Sequence, residues 1–540
     1  MQDIPLSHNH LDQLNAIGVA LSAEKNHLKL LEMILISAQN ITNSDGGTVY
    51  LLSDDQKTLK FEIMRCESFR LAYGGSAEKK IPFPPIPLFN TDGTPNLTTV
   101  SANVVQLGLS INIEDVYQVE GFDFTGTRKF DEASGYRSKS FLTIPMKNHE
   151  NEIIGVLQLI NAIDQETGSI VAFSPMAQRF AESLASQAAV ALTNHNLIEG
   201  LKKLFEAFIE LIASAIDEKS PYTGGHCKRV PELTLMLAQA AMDNQVGPLK
   251  DFNMTEKEFY ELKIAGWLHD CGKVITPESV MDKPTKLSTI YDRIGLIETR
   301  FELYRQHLEL AFLYKKLSNQ NSDSELAILE QDLLVAKATL DADLAFLRKA
   351  NFGAEFMTEE DQQRVRALGS IKFDTGDGKT HALLTENEVY NLNISRGTLT
   401  AEEREVINNH IVVTIEMLEA LPYPKDLRRV PEYACGHHER MDGKGYPRGL
   451  TRDQMSVPAR IMGIADIFEA LTSQDRPYKK AKTLTESLQI LGKMKLDQHI
   501  DPDLFDIFIR DKIYLRYAEM FLQPSQIDDV DESMIPGYTP

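Results

Sequence analysis

From Met176 to about Ile216 the chain runs without a proline and with a single glycine, Gly200. Within that run Leu197, Leu201, Leu204, Phe208, Leu211 and Ala215 recur at alternating spacings of four and three. An apolar period near 3.5 marks a helix whose narrow seam meets another helix, whereas a helix resting on a globular core shows a broader stripe. At 1.5 Å per residue the helix is on the order of 60 Å long. The run therefore predicts a linker at about 176–218 that pairs with a second copy of the chain and joins two domains. The competing reading is a core helix belonging to one neighbour. A length of 540 residues also exceeds what one hydrophobic core organises.

On the N-terminal side, residues 11–40 have helical periodicity, GTVYLLSDD and LKFEIMRC read as short strands, and an amphipathic stretch lies near Val104–Leu109. KSFLTIPMKN and IIGVLQLINA, separated by HENE, form a β-hairpin pattern. Helix, strands, hairpin and helix predict an α+β domain over 1–175. On the C-terminal side the text is helical from about Lys219 to Asp282 and again from Thr400 to about Leu522. Between them, Ile294, Ile297, Phe301, Tyr304 and Leu308 make one apolar stripe, and Leu326, Leu329, Leu333, Ala336, Leu340, Leu344 and Leu347 a second. Two antiparallel helices, followed by a short hairpin turning at Asp377–Gly378, fit these best, as an insertion of about 285–395 within a 219–522 domain. The acidic tail, 523–540, is expected to fray.

The chemistry concentrates in the second half. YTGGH places His226 near a helix start, WLHDCGK carries His269, Asp270 and Lys273, and INNHIVVT carries His410. CGHHERMDGKGYP carries His437 and His438, and IMGIADIFEALT carries Asp466. Imidazole with carboxylate suits divalent iron, manganese or zinc. A carboxylate has two oxygens, so Asp270 can bridge two ions while His269 binds one. Two ions about 3.5–4 Å apart activate water and polarise a phosphoryl group. Lys273, three residues past Asp270, shares its face, and Arg476 and Lys479 in DRPYKK offer cations for a phosphate. A single His-Asp pair would mean little. Five histidines and two aspartates in separate segments need partners that metal ions supply together. Cys227, Cys271 and Cys435 sit beside these groups as small space-filling residues.

A formal net charge of −22 argues against nucleic-acid polymers and anionic membranes as general partners. No apolar run reaches the roughly 18–20 residues of a membrane span. The start, MQDIPLSHNHLDQ, lacks a secretory layout, and four cysteines cannot form a disulfide framework, so a cytoplasmic protein is expected.

YTGGHCKRV, HDCGK, HHERMDGKGYP and ADIFEALTSQDRPYK resemble the HD-GYP family, a branch of the HD phosphohydrolases, over about 197–520. The resemblance implies an all-helical domain that hydrolyses a 3′–5′ cyclic dinucleotide, usually cyclic di-GMP, to the linear dinucleotide and onward to mononucleotide. It assigns His226, His269, Asp270, His410, His437, His438 and Asp466 as metal ligands, with Asp270 bridging, and Lys273 as the lysine of the HDxGK motif. DGKGYP, with Gly445–Tyr446–Pro447, reads as a turn-rich loop after the His-His helix, in which Tyr446 is either structural or, as the resemblance implies, helps shape a purine pocket beside the metals. Members with a third metal carry glutamate where this chain has Tyr222, so two divalent ions, iron or manganese, are expected. The mixed GMP–AMP ring is the alternative substrate, and a cyclic-dinucleotide receptor with weak catalysis the alternative class. The first domain resembles a GAF domain. RKFDE, Arg128, Lys129, Phe130, Asp131 and Glu132, looks like the NKFDE region of cyclic-nucleotide-binding members. A buried Lys129–Asp131 ion pair and a small-molecule or cyclic-nucleotide ligand are the expectations there, and a GAF domain that only dimerises is the rival.

Overall fold

A computed structural model describes residues 7–77, 79–219, 225–318, 322–353, 356–374, 379–473 and 482–539, with side chains from residue 12 onward. The chain divides into two compact units, Met1–Leu204 and Phe205–Pro540.

In the first unit, helices α1 (Ser7–Ala23) and α2 (His27–Thr42) lead into strands β1 (Ser44–Leu52), β2 (Thr58–Cys66), β3 (Leu71–Gly74) and β4 (Ile86–Pro87). Then come α3 (Val100–Leu107), β5 (Ile111–Ile113), α4 (Thr125–Ser134), β6 (Phe141–Lys147), β7 (Ile153–Ile163) and β8 (Ile170–Val171). The strands form one antiparallel sheet in the order β3-β2-β1-β7-β6-β5, with β4 on β2 and β8 on β7. Side chains alternate across a strand. Val49, Leu142, Ile144, Leu157 and Leu159 accordingly pack on one face, against Leu31, Ile34 and Leu35 of α2. Tyr50 and Val156 point to the opposite face and join Leu88, Ala102 and Val104.

Helix α5 (Pro175–Lys219) is continuous for 45 residues. Ala181, Leu184, Ala185, Ala188 and Leu192 from its first half belong to the helix-side core of the first unit. Ile209, Ala213 and Ile216 near its end belong to the core of the second. Leu197, Leu201, Leu204, Phe208 and Leu211 of the seam all stand exposed, at 55–65%.

The second unit continues with α6 (His226–Asp243), α7 (Glu256–Leu268) and α8 (Glu278–Met281). The insertion follows as α9 (Ile294–Leu317), α10 (Asp323–Asn351), α11 (Glu359–Gly369), β9 (Lys372–Asp374), β10 (Thr380–Ala382) and α12 (Glu386–Leu392). α9 and α10 form the expected helical hairpin, and β9 pairs β10 antiparallel. The expected turn at Asp377–Gly378 lies outside the described residues. The insertion has its own core, in which Leu287, Ile297, Phe301, Leu347 and Leu383 are buried. The unit closes with α13 (Ala401–Glu419), α14 (Val430–Ala434), α15 (Val457–Thr472), α16 (Leu484–Leu496), α17 (Pro502–Arg510) and α18 (Ile513–Phe521). The tail does not fray. Ile535 is buried in the main core and Gln526 donates to the Thr472 carbonyl at 2.7 Å, so its few apolar anchors outweigh its acidic composition. Among the described residues no helix is long and apolar enough to cross a membrane.

Candidate metal centre

Five separated segments supply the centre, and each is fixed locally before it meets the others. α7 starts on a capping box between Thr255 and Glu258, which satisfies first-turn donors. It ends at Leu268, so His269 and Asp270 fall at the exit of the helix, ahead of a short 3₁₀ turn, Cys271–Ile275. That turn lies directly on α13, where Gly272 N donates to Thr414 Oγ1 at 2.9 Å. A Cβ on Gly272 would stand 2.0 Å from the His410 carbonyl oxygen, so only glycine lets Asp270 come this near His410. His226 opens α6, His437 and His438 follow α14, and Asp466 lies in mid-α15.

The imidazoles are oriented from behind. His269 Nδ1 donates to the Gly266 carbonyl at 2.7 Å, His410 Nδ1 to Ile407 at 2.5 Å and His437 Nδ1 to Ala434 at 2.6 Å. His226 Nδ1 is held by the Glu469 carboxylate. With the proton on Nδ1, each Nε2 presents a lone pair to the centre, the tautomer that metal-binding histidines use. The Nε2 atoms of His226 and His269 are 3.3 Å apart, and those of His410 and His438 are 3.1 Å apart. Asp270 Oδ2 lies 3.3 Å from both His226 and His269 Nε2, while its Oδ1 lies 3.3 Å from His410 Nε2. Asp466 Oδ1 is 3.3 Å from His226 Nε2. Two groups result: His226, His269, Asp270 and Asp466, and Asp270, His410, His437 and His438. The donor atoms of each fall within 4.8 Å of one another. All seven sequence-expected ligands come together, and the two groups share Asp270.

The donor chemistry fits divalent ions. Asp270 Oδ1 and His437 Nε2 are buried without a hydrogen-bond partner, and a buried polar atom left so costs about 1–3 kcal/mol. Facing lone pairs at hydrogen-bond distance repel unless a proton or a cation lies between them. Burial would lower His226, but Glu469, Asp270 and Asp466 raise it well above the usual imidazole value. The same contest between burial and the carboxylates takes His269 up to about 9. Burial and the neighbouring His438 and His269 push His437 well down, and burial takes His438 to about 4. Burial opposes the ionised Asp270, yet Lys273 and His269 keep its carboxyl well below the ordinary range.

Lys273 Nζ sits 2.5 Å from Asp270 Oδ2. The Tyr446 ring stacks on His438, centroids 4.8 Å apart at 17°. Gly445 allows this fold-back, because a Cβ there would stand 2.4–2.6 Å from the Glu439 and Arg440 backbone. Two residues escaped the sequence reading. Glu439, buried, accepts from Arg448 N at 2.7 Å and Leu450 N at 2.9 Å and shapes the loop around Tyr446. Glu469, fully buried, holds His226 and accepts from Arg229 Nε at 2.6 Å. Its only sequence signal is the i, i+3 spacing from Asp466 on α15. Cys227, Cys271 and Cys435 are buried and outside both groups. Arg476, Lys479 and Tyr222 lie outside the described residues.

In the first unit a cavity of about 320 Å³ opens on the sheet face bearing Tyr50 and Gln158. Of the RKFDE residues only Phe130 lines it. The expected Lys129–Asp131 pair does not form. Residues two apart on a helix face different ways. Lys129 is exposed, while buried Asp131 accepts from Tyr117 Oη at 2.8 Å and from Ser138 N and Oγ. Arg128 lies over the Tyr117 ring at 5.5 Å, and Glu132 is exposed.

Comparison with known proteins agrees with this architecture. Residues 26–192 match the GAF domain model and residues 385–504 the HD domain model. The chain therefore carries a GAF domain followed by an HD domain. A 3′3′-cGAMP-specific phosphodiesterase 1 of Vibrio cholerae is 44% identical over 81 residues, 15% of this chain and 19% of that one. A cyclic di-GMP phosphodiesterase of Thermotoga maritima is 34% identical over 114 residues, 21% of this chain and 30% of that one. The matched stretches thus span about a fifth to a third of these relatives' length.

Proposed function

We propose that the second unit is a metal-dependent phosphodiesterase that opens a 3′–5′ cyclic dinucleotide, cyclic di-GMP in the first place, to pGpG and onward to GMP. The observation that carries this reading is Asp270, whose two oxygens face two separate nests of imidazoles. Two divalent ions, iron or manganese, are the cofactors, with His226, His269, Asp270 and Asp466 holding one and Asp270, His410, His437 and His438 the other. When bound, such a pair supplies Lewis acidity toward a phosphoryl oxygen and a water of lowered pKa. The protein's own part is orientation and charge. The Nδ1 hydrogen bonds fix each ring before substrate arrives, and Lys273 places a cation beside Asp270 to meet a phosphate. Tyr446 braces His438 and presents its other face for a purine, and Arg476 and Lys479 are the further phosphate cations.

Cyclic GMP–AMP is the second reading, favoured by the 3′3′-cGAMP-specific phosphodiesterase of Vibrio cholerae among the relatives. The GAF domain regulates the hydrolase through α5, with a small molecule or cyclic nucleotide as its ligand, in a cytoplasmic homodimer paired along the exposed seam. The test is turnover of cyclic di-GMP and cyclic GMP–AMP by the full chain loaded anaerobically with Mn²⁺ or Fe²⁺. Asp270→Ala is expected to abolish it, and undiminished turnover in that variant refutes the assignment.

A further inference from the structure

Helix α5 ends against the first metal group, and two side chains of its last turn grip both segments that build that group. Asp217 is buried, 6% exposed. Its Oδ2 accepts from Gly225 N at 3.0 Å and from Cys227 N at 3.2 Å, and Oδ1 accepts from Cys227 N at 3.3 Å. These two amides flank His226. They belong to the N-terminus of α6, where Gly225, in the left-handed region at φ +88°, offers no side chain of its own as a cap. A carboxylate there satisfies orphaned donors and meets the positive end of the helix dipole. Two residues on, Lys219 Nζ donates to the Lys273 carbonyl at 3.3 Å and also to that of Val274. Those carbonyls belong to the 3₁₀ turn that begins just after Asp270 and carries Lys273. One turn of helix therefore holds the start of the His226 segment with an anion and the end of the Asp270 segment with a cation.

We infer that Asp217 and Lys219 are positioning residues, through which the end of α5 sets the spacing of His226 against Asp270 and so the metal affinity of the first group. Neither touches a donor atom of the centre. Both act on backbone within one residue of His226 or at Lys273 and Val274. The His226 Nε2 to Asp270 Oδ2 separation of 3.3 Å is the quantity they control. A slip of α5 by one residue displaces its end by about 1.5 Å, enough to break every one of these bonds. This gives the proposed regulation of the hydrolase a physical point of contact. The inference rests on the metal-centre reading but not on the identity of the substrate.

The experiment is Mn²⁺ titration of the metal-stripped full chain, followed by calorimetry and by the electron paramagnetic resonance signal of a coupled ion pair. Wild type is expected to take two ions and show the coupled signal. Asp217→Ala is expected to weaken one of the two ions by 10–100-fold, the range for supporting groups behind metal ligands, and to lose the coupling. Asp217→Asn, which keeps an acceptor oxygen at the helix start, is expected to restore most of both. Lys219→Met is expected to weaken the same ion, and the other as well through the shared Asp270. Wild-type affinity and coupling in both Asp217→Ala and Lys219→Met would overturn the inference, as would equal loss of both ions in Asp217→Asn. A wild-type chain that binds no Mn²⁺ would instead overturn the metal centre itself, and the inference with it.

Discussion

Glu469→Gln separates orientation of a ligand from ligation. Glu469 is fully buried, with one oxygen on His226 Nδ1 and the other on Arg229, whose Nη2 lies at 2.5 Å. Glutamine preserves volume but has one acceptor oxygen for two donors, so either His226 or Arg229 faces an amide N–H. A lost charge-assisted hydrogen bond is worth about 1.5–3 kcal/mol. If His226 loses its acceptor, that energy appears as roughly 10–100-fold weaker binding of one ion. His410, His437 and His438 have no contact with Glu469, so the second ion should keep its affinity. The assay is calorimetric Mn²⁺ titration of metal-stripped protein, with thermal melting in chelator to check the fold. A folded variant that binds both ions as wild type does would show that His226 is oriented without Glu469. Equal weakening of both ions would show a general disturbance and defeat the reasoning as well.

Metal uptake should release protons. In the metal-free fold His269 is raised to about 9 and His226 well above 6.5, so both hold protons near neutrality that a cation must displace. Apparent Mn²⁺ affinity should therefore climb with pH through about 9, and titrations in buffers of different ionisation enthalpy should report the released protons. A flat profile from pH 7 to 9 contradicts this. Leu201→Glu with Phe208→Glu, both on the exposed seam of α5, should convert a dimer to monomer by light scattering. An unchanged mass removes the seam from dimerisation. Lys286 is fully buried against the Leu392 carbonyl and Met357 Sδ, and burial lowers its ammonium to about 8. The unfolded chain keeps that proton up to about 10.5, so wild-type stability should rise as pH climbs from about 8 to 10.5. Lys286→Met should lack this rise in denaturant melts, and a parallel rise would point to other groups.

The ligands were legible because each lies in a short motif with its own local logic, such as a helix exit at His269–Asp270 or a turn after His437–His438. Their supports were not. Glu469 acts on His226 from 243 positions away, and its own helix offers no more than the i, i+3 spacing from Asp466. The paired strands β6 and β7 were visible as long β-rich runs, whereas β3, β4, β5 and β8 have two to four residues each. At that length the partner strand defines the structure, and local propensity carries little signal. α11, EEDQQRVRALG, contributes only Val365 and Leu368 to burial, too sparse a stripe to mark a helix in advance. The acidic tail misled in the opposite sense, since composition hid the anchoring done by Ile535.

The 141-position gap between His269 and His410 looks hostile to a shared site, yet the structure shows why it is not. The insertion leaves and re-enters the domain at one gate. Thr398 Oγ1 donates to the Lys283 carbonyl at 2.9 Å, across the two ends of the inserted segment. Lys283, itself buried, pairs with Glu403 at 2.8 Å, two turns before His410 on α13. Inside the gate, Lys286 N donates to the Asn351 carbonyl at 2.8 Å, and the inserted helices fold on a core of their own. A chain closed at its base adds little strain however long it is, because each doubling of a loop costs only about 0.6 kcal/mol in closure entropy. What His410 requires is the clamp between Lys283 and Glu403, together with the bare Gly272 contact on α13. The placement of the second metal group is thus set by a few residues at the gate, and the length of the segment beyond them is free to vary.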